Sequence, residues 1–301
     1  MGQNRGHTPT FTVVIPSYNR AGFIETAVRS VLAQTYTDFE IIVVDDGSTD
    51  NTADAVAAID DPRITYQAKK NEERAVARNT GVALGTGEYV CFLDSDDTLS
   101  DDHLETALGM INKHARPEIF HLGYAFTDRS GKVLSTVDNL PPLANDELIG
   151  GNCLSCNGVF VRRDIAEQMP FNTERALSGT EDYELWLRMA SRYPIHCSNK
   201  VTSSIIQHEA RSVMTGDQAK LVKRIDLLEA SLLKDSLFVK KYGSRLSEFR
   251  ANNRLYIALH LALAGERLGA VRYILKAVSN SVKVLGRRSF YGTLKRLIIK
   301  I

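Results

Sequence analysis

The chain has 301 residues, 44% of them hydrophobic and 24% charged, which is an ordinary globular composition. This length allows one large domain with an appendage, or two modest domains. The net charge of +1 argues against nucleic-acid binding, because that function needs a strongly basic face that displaces counterions from phosphate.

The four cysteines are too few and too scattered for a disulfide framework, which favours a reducing compartment such as the cytoplasm. Cys153 and Cys156 form a C-x-x-C pair, but no second Cys or His pair follows at zinc-site spacing. The polar first ten residues lack the apolar core of a signal peptide. No window approaches the roughly twenty apolar residues of a membrane-spanning helix. We therefore expect a soluble protein that is at most peripheral to a membrane.

Strands and helices are predicted to alternate in the first third of the chain. In order, the segments are strand 12–16, helix 22–34, strand 39–44, helix 52–59, strand 63–67, helix 74–84 and strand 88–93. Such alternation predicts an α/β fold with a parallel sheet, right-handed crossovers and helices on both faces. No G-x-G-x-x-G follows the first strand, which argues against an NAD-type dinucleotide domain.

Polar loops follow three of these strands, at residues 16–20, 45–48 and 94–97. The carboxyl ends of parallel strands share one edge of a sheet, where ligands bind in open α/β folds. In the third loop Asp94, Asp96 and Asp97 crowd three carboxylates together. They stay ionised together only if cationic charge is close, and a hard divalent ion is the simplest partner.

The second third of the chain mixes strands and helices, and the last third is helical. The predicted segments are helix 101–114, a hairpin of strands 118–126 and 132–136, strand 157–161, helix 163–168, helix 183–191 and strand 201–207. From residue 217 onward an apolar stripe (221, 225, 228, 232) and a helix pair at 250–264 and 270–278 are predicted.

Four motifs resemble the family 2 glycosyltransferases of the GT-A fold. They are VVIPSYNR (13–20), VVDDGSTDNT (43–52), ARNTGVALGTGEYVCFLDSDD (77–97) and EDYELWLRM (181–189). The resemblance implies a GT-A catalytic domain over residues 1–215, with a nucleotide half at about 10–100 and an acceptor half at 101–215. Residues 216–301 would be a helical C-terminal region.

The resemblance also assigns the donor site, which would bind a nucleotide-diphosphate sugar. Tyr18 would contact the base, Asp46 would accept the imide N–H of uracil or thymine, and Pro16 and Ser17 would shape the backbone around it. Asp45 would brace the loop.

The next motif would hold the ribose and the diphosphate. Asp94, with Ser95, would bind the ribose, and Asp96 would bind the Mn²⁺ or Mg²⁺ that neutralises the leaving diphosphate. Arg78 would contact the diphosphate or the ribose side, unless it pairs with Asp46 or Asp94 to brace the site. The family usually has glycine at the position of Glu73, so the sequence departs from the pattern there.

On the acceptor side, the resemblance makes Asp182 the general base of an inverting transfer, in preference to Glu181. From the residues alone, both carboxylates could instead cap a helix and pair with its dipole. Ser178 or Thr180 is a plausible cap. His208 would join the metal or close over the diphosphate, with Arg211 and Ser212 on the same loop. An ordinary surface histidine is the alternative.

The last stretch, residues 280–301, carries six basic residues and no acid among apolar ones. This pattern is typical of an amphipathic tail that lies on anionic lipid near a lipid-linked acceptor, and equally of a solvated helix that packs on the catalytic domain.

The implied function is transfer from a UDP- or dTDP-sugar to a saccharide or lipid-linked acceptor in cell-surface or extracellular polysaccharide synthesis. One alternative is a haloacid-dehalogenase-like phosphatase, because FLDSDDTL fits strand-D-x-D-x-T, although that motif normally begins the fold. The other is a scaffold that binds a sugar nucleotide without catalysis.

Overall fold

The computed structural model describes residues 8–208 and 218–298, which form two compact units. The first unit holds the described residues of Met1–Ala144, Leu154–Arg175 and Tyr193–Arg211, and the second holds those of Asn145–Cys153, Ala176–Arg192 and Ser212–Ile301. The boundary predicted at residue 215 lies outside the described residues. The second unit also includes two segments that the sequence placed in the acceptor half, so the predicted functional division stays a prediction.

The described residues of the first unit form nine strands. They are β1 (Phe11–Ser17), β2 (Phe39–Asp45), β3 (Ile64–Ala68), β4 (Tyr89–Phe92), β5 (Thr98–Leu99), β6 (Ile119–Thr127), β7 (Val133–Val137), β8 (Val159–Arg162) and β9 (Ile195–Ile206). Its helices are α1 (Ile24–Leu32), α2 (Thr52–Ala57), α3 (Arg74–Leu84), α4 (His103–Lys113) and α5 (Arg163–Gln168).

The second unit is helical over its described residues. Its helices are α6 (Glu181–Ala190), α7 (Gln218–Lys234), α8 (Ser236–Tyr242), α9 (Leu246–Leu263), α10 (Arg267–Asn280) and α11 (Arg288–Ile298). Short 3₁₀ helices at Glu147–Gly150 and Val282–Gly286 also belong to it.

The strands form one sheet in the order β3-β2-β1-β4-β8-β6-β9-β5, with β7 beside β6. β1 pairs in parallel with β2 and with β4, and β2 pairs in parallel with β3. The sheet becomes antiparallel at β8, which pairs with both β4 and β6. The predicted parallel sheet and the predicted hairpin, which is β6 and β7, are both confirmed.

Helices cover both faces of the parallel part of the sheet. Successive strand residues point to opposite faces, and Ile41 and Val43 of β2 lie in one apolar cluster with residues of α1 and α4. Ile42 and Val44 lie in another, with Ala77 of α3. Burial on both faces explains why these strands are nearly continuous apolar runs, and it confirms the predicted architecture.

In the second unit, α9 and α10 pack against each other around Ala251, Leu255 and Ala277, which confirms the predicted helix pair. The predicted stripe on α7 is confirmed at Ile225, Leu228 and Leu232, which are buried, while its first member, Leu221, is half-buried.

Several boundaries differ from the prediction by a few residues, and the short strand β5 was not predicted. β9 begins at Ile195 rather than at residue 201, and α6 begins at Glu181 rather than at 183. The first part of β9 carries the polar residues Ser198, Asn199 and Lys200, which hide it from a hydrophobicity pattern, although β6 pairs with it. β5 has only two residues, too few for any periodicity.

We expect Gly81→Ala to lower the free energy of unfolding by about 1–3 kcal/mol through overpacking. A Cβ on Gly81 in α3 would lie 2.2 Å from Cγ1 of Val14 in β1. Gly109→Ala in α4 is the matched control, because a Cβ there meets nothing within 4 Å and should raise helix stability by about 0.5–1 kcal/mol. Urea unfolding measures the free energy of unfolding of both variants. Equal stabilisation by the two substitutions would contradict the close packing of α3 against β1.

Candidate active site

Three polar loops leave the sheet of the first unit at the same edge. β1 lies between β2 and β4 with all three strands parallel, and Ser17 is level with Asp45. Neighbouring strands are about 4.8 Å apart, so loops 17–20, 45–48 and 94–97 start side by side. The predicted convergence of these loops is therefore confirmed within the first unit.

The loop after β1 is fastened to the loop after β2 by hydrogen bonds. The Asp46 N–H donates to the Ser17 carbonyl oxygen, and the Asn19 N–H donates to Ser48 Oγ, both at 2.8 Å. The Asn19 side-chain oxygen in turn accepts from the Thr49 N–H at 2.8 Å. Asn19 has φ +52°, a left-handed conformation that asparagine tolerates well. The two loops therefore form a single surface.

Tyr18 lies between these fastened residues and is 48% exposed, so its ring is accessible to a ligand. Pro16 and Ser17 are the last two residues of β1 and are buried. The Ser17 hydroxyl is also buried, and among the described residues it has no hydrogen-bond partner. A buried hydroxyl of this kind is costly unless a ligand or water satisfies it.

Asp45 braces the second loop, as predicted. One carboxylate oxygen accepts from the Ser48 N–H at 2.8 Å and the other from the Tyr66 hydroxyl at 2.6 Å. Burial, followed by the hydrogen bond to Asp45, raises the pKa of Tyr66, so its hydroxyl remains a donor at neutral pH.

Asp46 is buried and forms an ion pair that the sequence did not predict. Its Oδ1 lies 2.7 Å from Lys69 Nζ and accepts from the Glu72 N–H at 3.0 Å. Burial opposes the charge of Lys69, but hydrogen bonds to Asp46 and Glu72 outweigh it and raise the lysine pKa. Lys69 directly follows β3 at the same sheet edge, and this position was the signal that could have identified it.

Arg78 is 2% exposed, and its Nη2 lies 2.7 Å from Asp94 Oδ1. Its guanidinium also stands 5.4 Å from the centre of the Phe171 ring. Arg78 had two predicted roles, and the structure shows the second, in which Arg78 pairs with Asp94 and braces the site. A direct contact between Arg78 and a phosphate stays a prediction.

One buried carboxylate fixes the acidic loop to the far end of β9. Asp97 is 1% exposed, and it accepts from Asn157 Nδ2 at 2.8 Å and from the Ile206 N–H at 2.9 Å. The Asn157 side-chain oxygen Oδ1 accepts from the Asp94 N–H at 3.1 Å. Asn157 was not predicted, because it lies sixty residues away in sequence from the loop that it holds.

This connection places His208, two residues beyond β9, beside Asp96. The histidine Nε2 lies 3.0 Å from Asp96 Oδ2, and its ring stacks on Phe23 at 4.9 Å between centroids. Arg20 Nη2 is 3.6 Å from the same carboxylate oxygen. Ser95, between Asp94 and Asp96, is buried. Arg211 and Ser212 lie outside the described residues.

A carboxylate oxygen next to an imidazole nitrogen is a donor set that fits a divalent cation. The described residues contain no cluster of three or more His, Cys, Asp or Glu side chains that would hold a metal alone. Mg²⁺ and Mn²⁺ sites that serve phosphate chemistry commonly use one or two protein ligands and complete the shell with phosphates and water. The Asp96 and His208 pair fits that pattern.

Glu73 keeps the backbone path of a glycine. It has φ +77° and ψ 162° and stands at the N-terminus of α3, in a region of the Ramachandran plot that is almost restricted to glycine. Its carboxylate accepts from Arg175 Nε at 2.8 Å, and Arg175 also donates to the Asn71 side-chain oxygen at 3.0 Å. The departure from the family pattern therefore introduces strain, and Arg175 fastens both ends of the turn.

Asp182 and Glu181 belong to the second unit and have different surroundings. Glu181 is 2% exposed and accepts from the Gly179 N–H. Asp182 is half-buried, and its Oδ2 accepts from Asn152 Nδ2 at 3.2 Å. Thr180 occupies the N-cap position, but its hydroxyl donates to the Leu177 carbonyl instead of capping the helix. Glu181 thus serves the turn, while Asp182 faces a cavity.

That cavity lies entirely within the second unit and has a volume of about 220 Å³. Asn152 and Asp182 form part of its wall, and α9 contributes Asn252, Asn253 and Tyr256. Carboxylate, amide and phenol groups around one cavity can hydrogen-bond a polyhydroxylated ligand. The sequence predicted no contribution from α9, because its apolar pattern is that of an ordinary packing helix.

Comparison with known proteins identifies related sequences. The family model described as glycosyl transferase family 2 matches residues 12–167, which is just over half of the chain. The succinoglycan biosynthesis protein ExoO of Rhizobium meliloti is 31% identical over 248 residues, covering 78% of this chain and 69% of that protein. The chain spans about a third of the length of the first curated relatives it matches.

Solved structures share the fold. S. aureus TarS in complex with UDP-GlcNAc superposes with a TM-score of 0.64 at 18% identity, covering 89% of this chain and 90% of the other. The mannosyltransferase PcManGT from Pyrobaculum calidifontis, in complex with GDP-Man and Mn²⁺, gives a TM-score of 0.60 at 20% identity, covering 97% and 86%. At these identities the likeness establishes the predicted GT-A fold.

Glycine should be better tolerated than alanine at position 73. Glu73→Gly and Glu73→Ala both remove the carboxylate that binds Arg175, but only glycine relieves backbone strain of about 1–3 kcal/mol. After the entropic cost of glycine, we expect Glu73→Gly to be the more stable by about 1 kcal/mol in urea unfolding. At the exposed control Arg29 in α1 the order should reverse, with alanine more stable by about 1 kcal/mol. If the glycine and alanine variants had the same order of stability at both positions, the backbone at position 73 would not be strained.

Proposed function

The chain belongs to glycosyl transferase family 2, and on that basis we propose an inverting, metal-dependent glycosyltransferase that uses a UDP- or dTDP-sugar and acts on a saccharide or lipid-linked acceptor in polysaccharide synthesis. The single observation that carries this proposal is the contact between the Asp96 carboxylate and the His208 imidazole. It lies at the same edge of the sheet as Asp46. Relatives such as the succinoglycan protein support the polysaccharide pathway.

The base of the donor would bind between the first two loops. Asp46 has one oxygen held by Lys69 and the Glu72 N–H, but a carboxylate offers about four acceptor sites. It could therefore still accept the imide N–H of uracil or thymine, with the Tyr18 ring against the base. Pro16 and Ser17 would shape the backbone beneath it. The bound UDP-GlcNAc of TarS supports a uridine donor.

The sugar diphosphate would bind at the acidic loop. Asp94, held by Arg78 and flanked by Ser95, would accept from the ribose hydroxyls. Asp96 and His208 would hold Mn²⁺ or Mg²⁺, which neutralises negative charge on a departing nucleoside diphosphate without proton transfer. The Mn²⁺ bound with GDP-Man in PcManGT supports use of a divalent cation.

Asp182 is proposed as the general base. An inverting transfer needs one carboxylate that takes the proton of the acceptor hydroxyl as that hydroxyl attacks the anomeric carbon. Both carboxylates accept a backbone N–H, Glu181 from Gly179 and Asp182 from Tyr183, but Asp182 also lines a cavity. The Asn152 amide, which donates to Asp182 Oδ2, would orient the carboxylate, and the cavity would receive the acceptor hydroxyl.

The two alternatives predict different reactions. A haloacid-dehalogenase-like phosphatase would use Asp94 as its nucleophile and release phosphate from monoesters, and the family membership now argues against it. A binding scaffold would turn over nothing. Release of UDP or dTDP from a sugar nucleotide, dependent on Mn²⁺, distinguishes the transferase from both.

Asp96→Ala should abolish cation-dependent binding of the donor, because it removes the carboxylate proposed to bind the ion. The measurement is the thermal midpoint of the protein with a panel of sugar nucleotides, in the presence of Mn²⁺ or of EDTA. Exposed Asp60 provides the control, and Asp60→Ala should behave like the wild type. Undiminished Mn²⁺-dependent stabilisation of Asp96→Ala would refute the metal assignment.

Asp182→Asn should retain donor binding and lose at least about a hundredfold in kcat, the lower end of a general-base contribution. Asparagine preserves the shape of the side chain but cannot accept a proton. Transfer is measured as release of the nucleoside diphosphate in the presence of acceptor, and donor binding as thermal stabilisation. Asp101→Asn, at an exposed aspartate, is the control. Near-normal transfer by Asp182→Asn would show that the base lies elsewhere.

A further inference from the structure

The C-terminal helices expose an unusual amount of apolar side chain. From residue 263 onward, seven large apolar side chains of the described chain are exposed: Leu263, Leu268, Val271, Leu275, Val282, Leu285 and Tyr291. Leu268 is 90% exposed and Leu275 65%. Single exposed apolar residues are normal on a protein surface, but a cluster indicates an interaction site.

Three of these residues form a stripe along α10. Leu268, Val271 and Leu275 are spaced i, i+3 and i+7, which puts them on one helix face. The opposite face is buried, since Ala270, Ile274 and Ala277 pack inside the second unit. Helix α10 is therefore apolar on both sides, although only one side has a protein neighbour among the described residues.

Basic residues flank this stripe. At 100° per residue, Arg272 and Lys276 lie along one side of it and Arg267 along the other. All three are exposed, and so are Arg288, Lys295 and Arg296 in α11. The exposed apolar stripe thus has a positively charged border.

Basic residues are also concentrated in the C-terminal part of the sequence. Residues 264–301 contain nine Lys or Arg and one acidic residue, a net charge of +8. The remaining residues, 1–263, contain 28 basic and 35 acidic residues, a net charge of −7. The overall net charge of +1 conceals this contrast. A basic surface of this strength selects a negatively charged partner.

We propose that the outer face of α10, continued through residues 282–291, binds the surface of an anionic lipid bilayer. The stripe would enter the interface between head groups and acyl chains, and the flanking basic residues would contact lipid phosphates. None of the described helices has the length and apolar character of a membrane span. This inference does not depend on the identity of the donor, the acceptor or the base.

The test is cosedimentation of the full-length protein with two kinds of vesicle, phosphatidylcholine alone and phosphatidylcholine mixed with phosphatidylglycerol. Binding should require phosphatidylglycerol and weaken as salt is added. Leu268→Ser combined with Leu275→Ser should lower the partition coefficient at least about tenfold. Arg272→Gln combined with Lys276→Gln should lower it about thirtyfold.

Matched controls separate this surface from general effects. Val133→Ser with Leu134→Ser replaces two apolar residues of β7 that are 55% and 54% exposed, and Lys234→Gln with Lys240→Gln replaces exposed lysines outside the stripe. Both should bind vesicles like the wild type. Thermal midpoints of all variants show that they are folded.

Three results would overturn the proposal. The first is equal binding to neutral and anionic vesicles or no binding to either, and the second is wild-type binding by the α10 variants. The third is that the wild-type protein forms an oligomer and the Leu268→Ser, Leu275→Ser double variant is a monomer. The stripe would then be an interface between copies of the chain.

Discussion

Parallel pairing of β1 with β2 on one side and with β4 on the other is the constraint on which the candidate active site depends. Ser17 is level with Asp45 and Val14 with Phe92, so three polar loops leave the sheet together. Because both faces of these strands are buried, a slip of one residue would exchange their inward and outward side chains. The same apolar runs that stabilise the sheet therefore fix the position of the carboxylates.

Much of this part of the fold could be predicted from the sequence, since strands and helices alternate with clear periodicity. The polar loops at strand ends likewise indicated the region of the site, and the brace at Asp45 was predicted correctly. What periodicity cannot reveal is a side chain that acts across a large separation in sequence. Asn157 holds the Asp94 and Asp97 loop, yet nothing near Asn157 in the sequence distinguishes it from an ordinary residue before a strand.

Position 73 shows a second limit of sequence reasoning. The sequence departs from the family's glycine at this position and left the loop path open, and the structure keeps the glycine conformation and fastens the turn with Arg175. A glutamate disfavours this backbone conformation, but a contact with a residue about a hundred positions away in the sequence stabilises it. The helices of the second unit show a related limit, because an apolar stripe predicts burial without showing which face remains outside. On α10 both faces are apolar, and only the structure shows which of them is buried.

The uneven charge along the chain also has a colloidal consequence. The sequence isoelectric point is about 7.7, so near neutral pH little net repulsion keeps molecules apart. The acidic portion of one molecule can then attract the basic C-terminal segment of another. Such attraction between unlike patches is screened by electrolyte, which means that solubility should be lowest in dilute neutral buffer and should increase as sodium chloride is added.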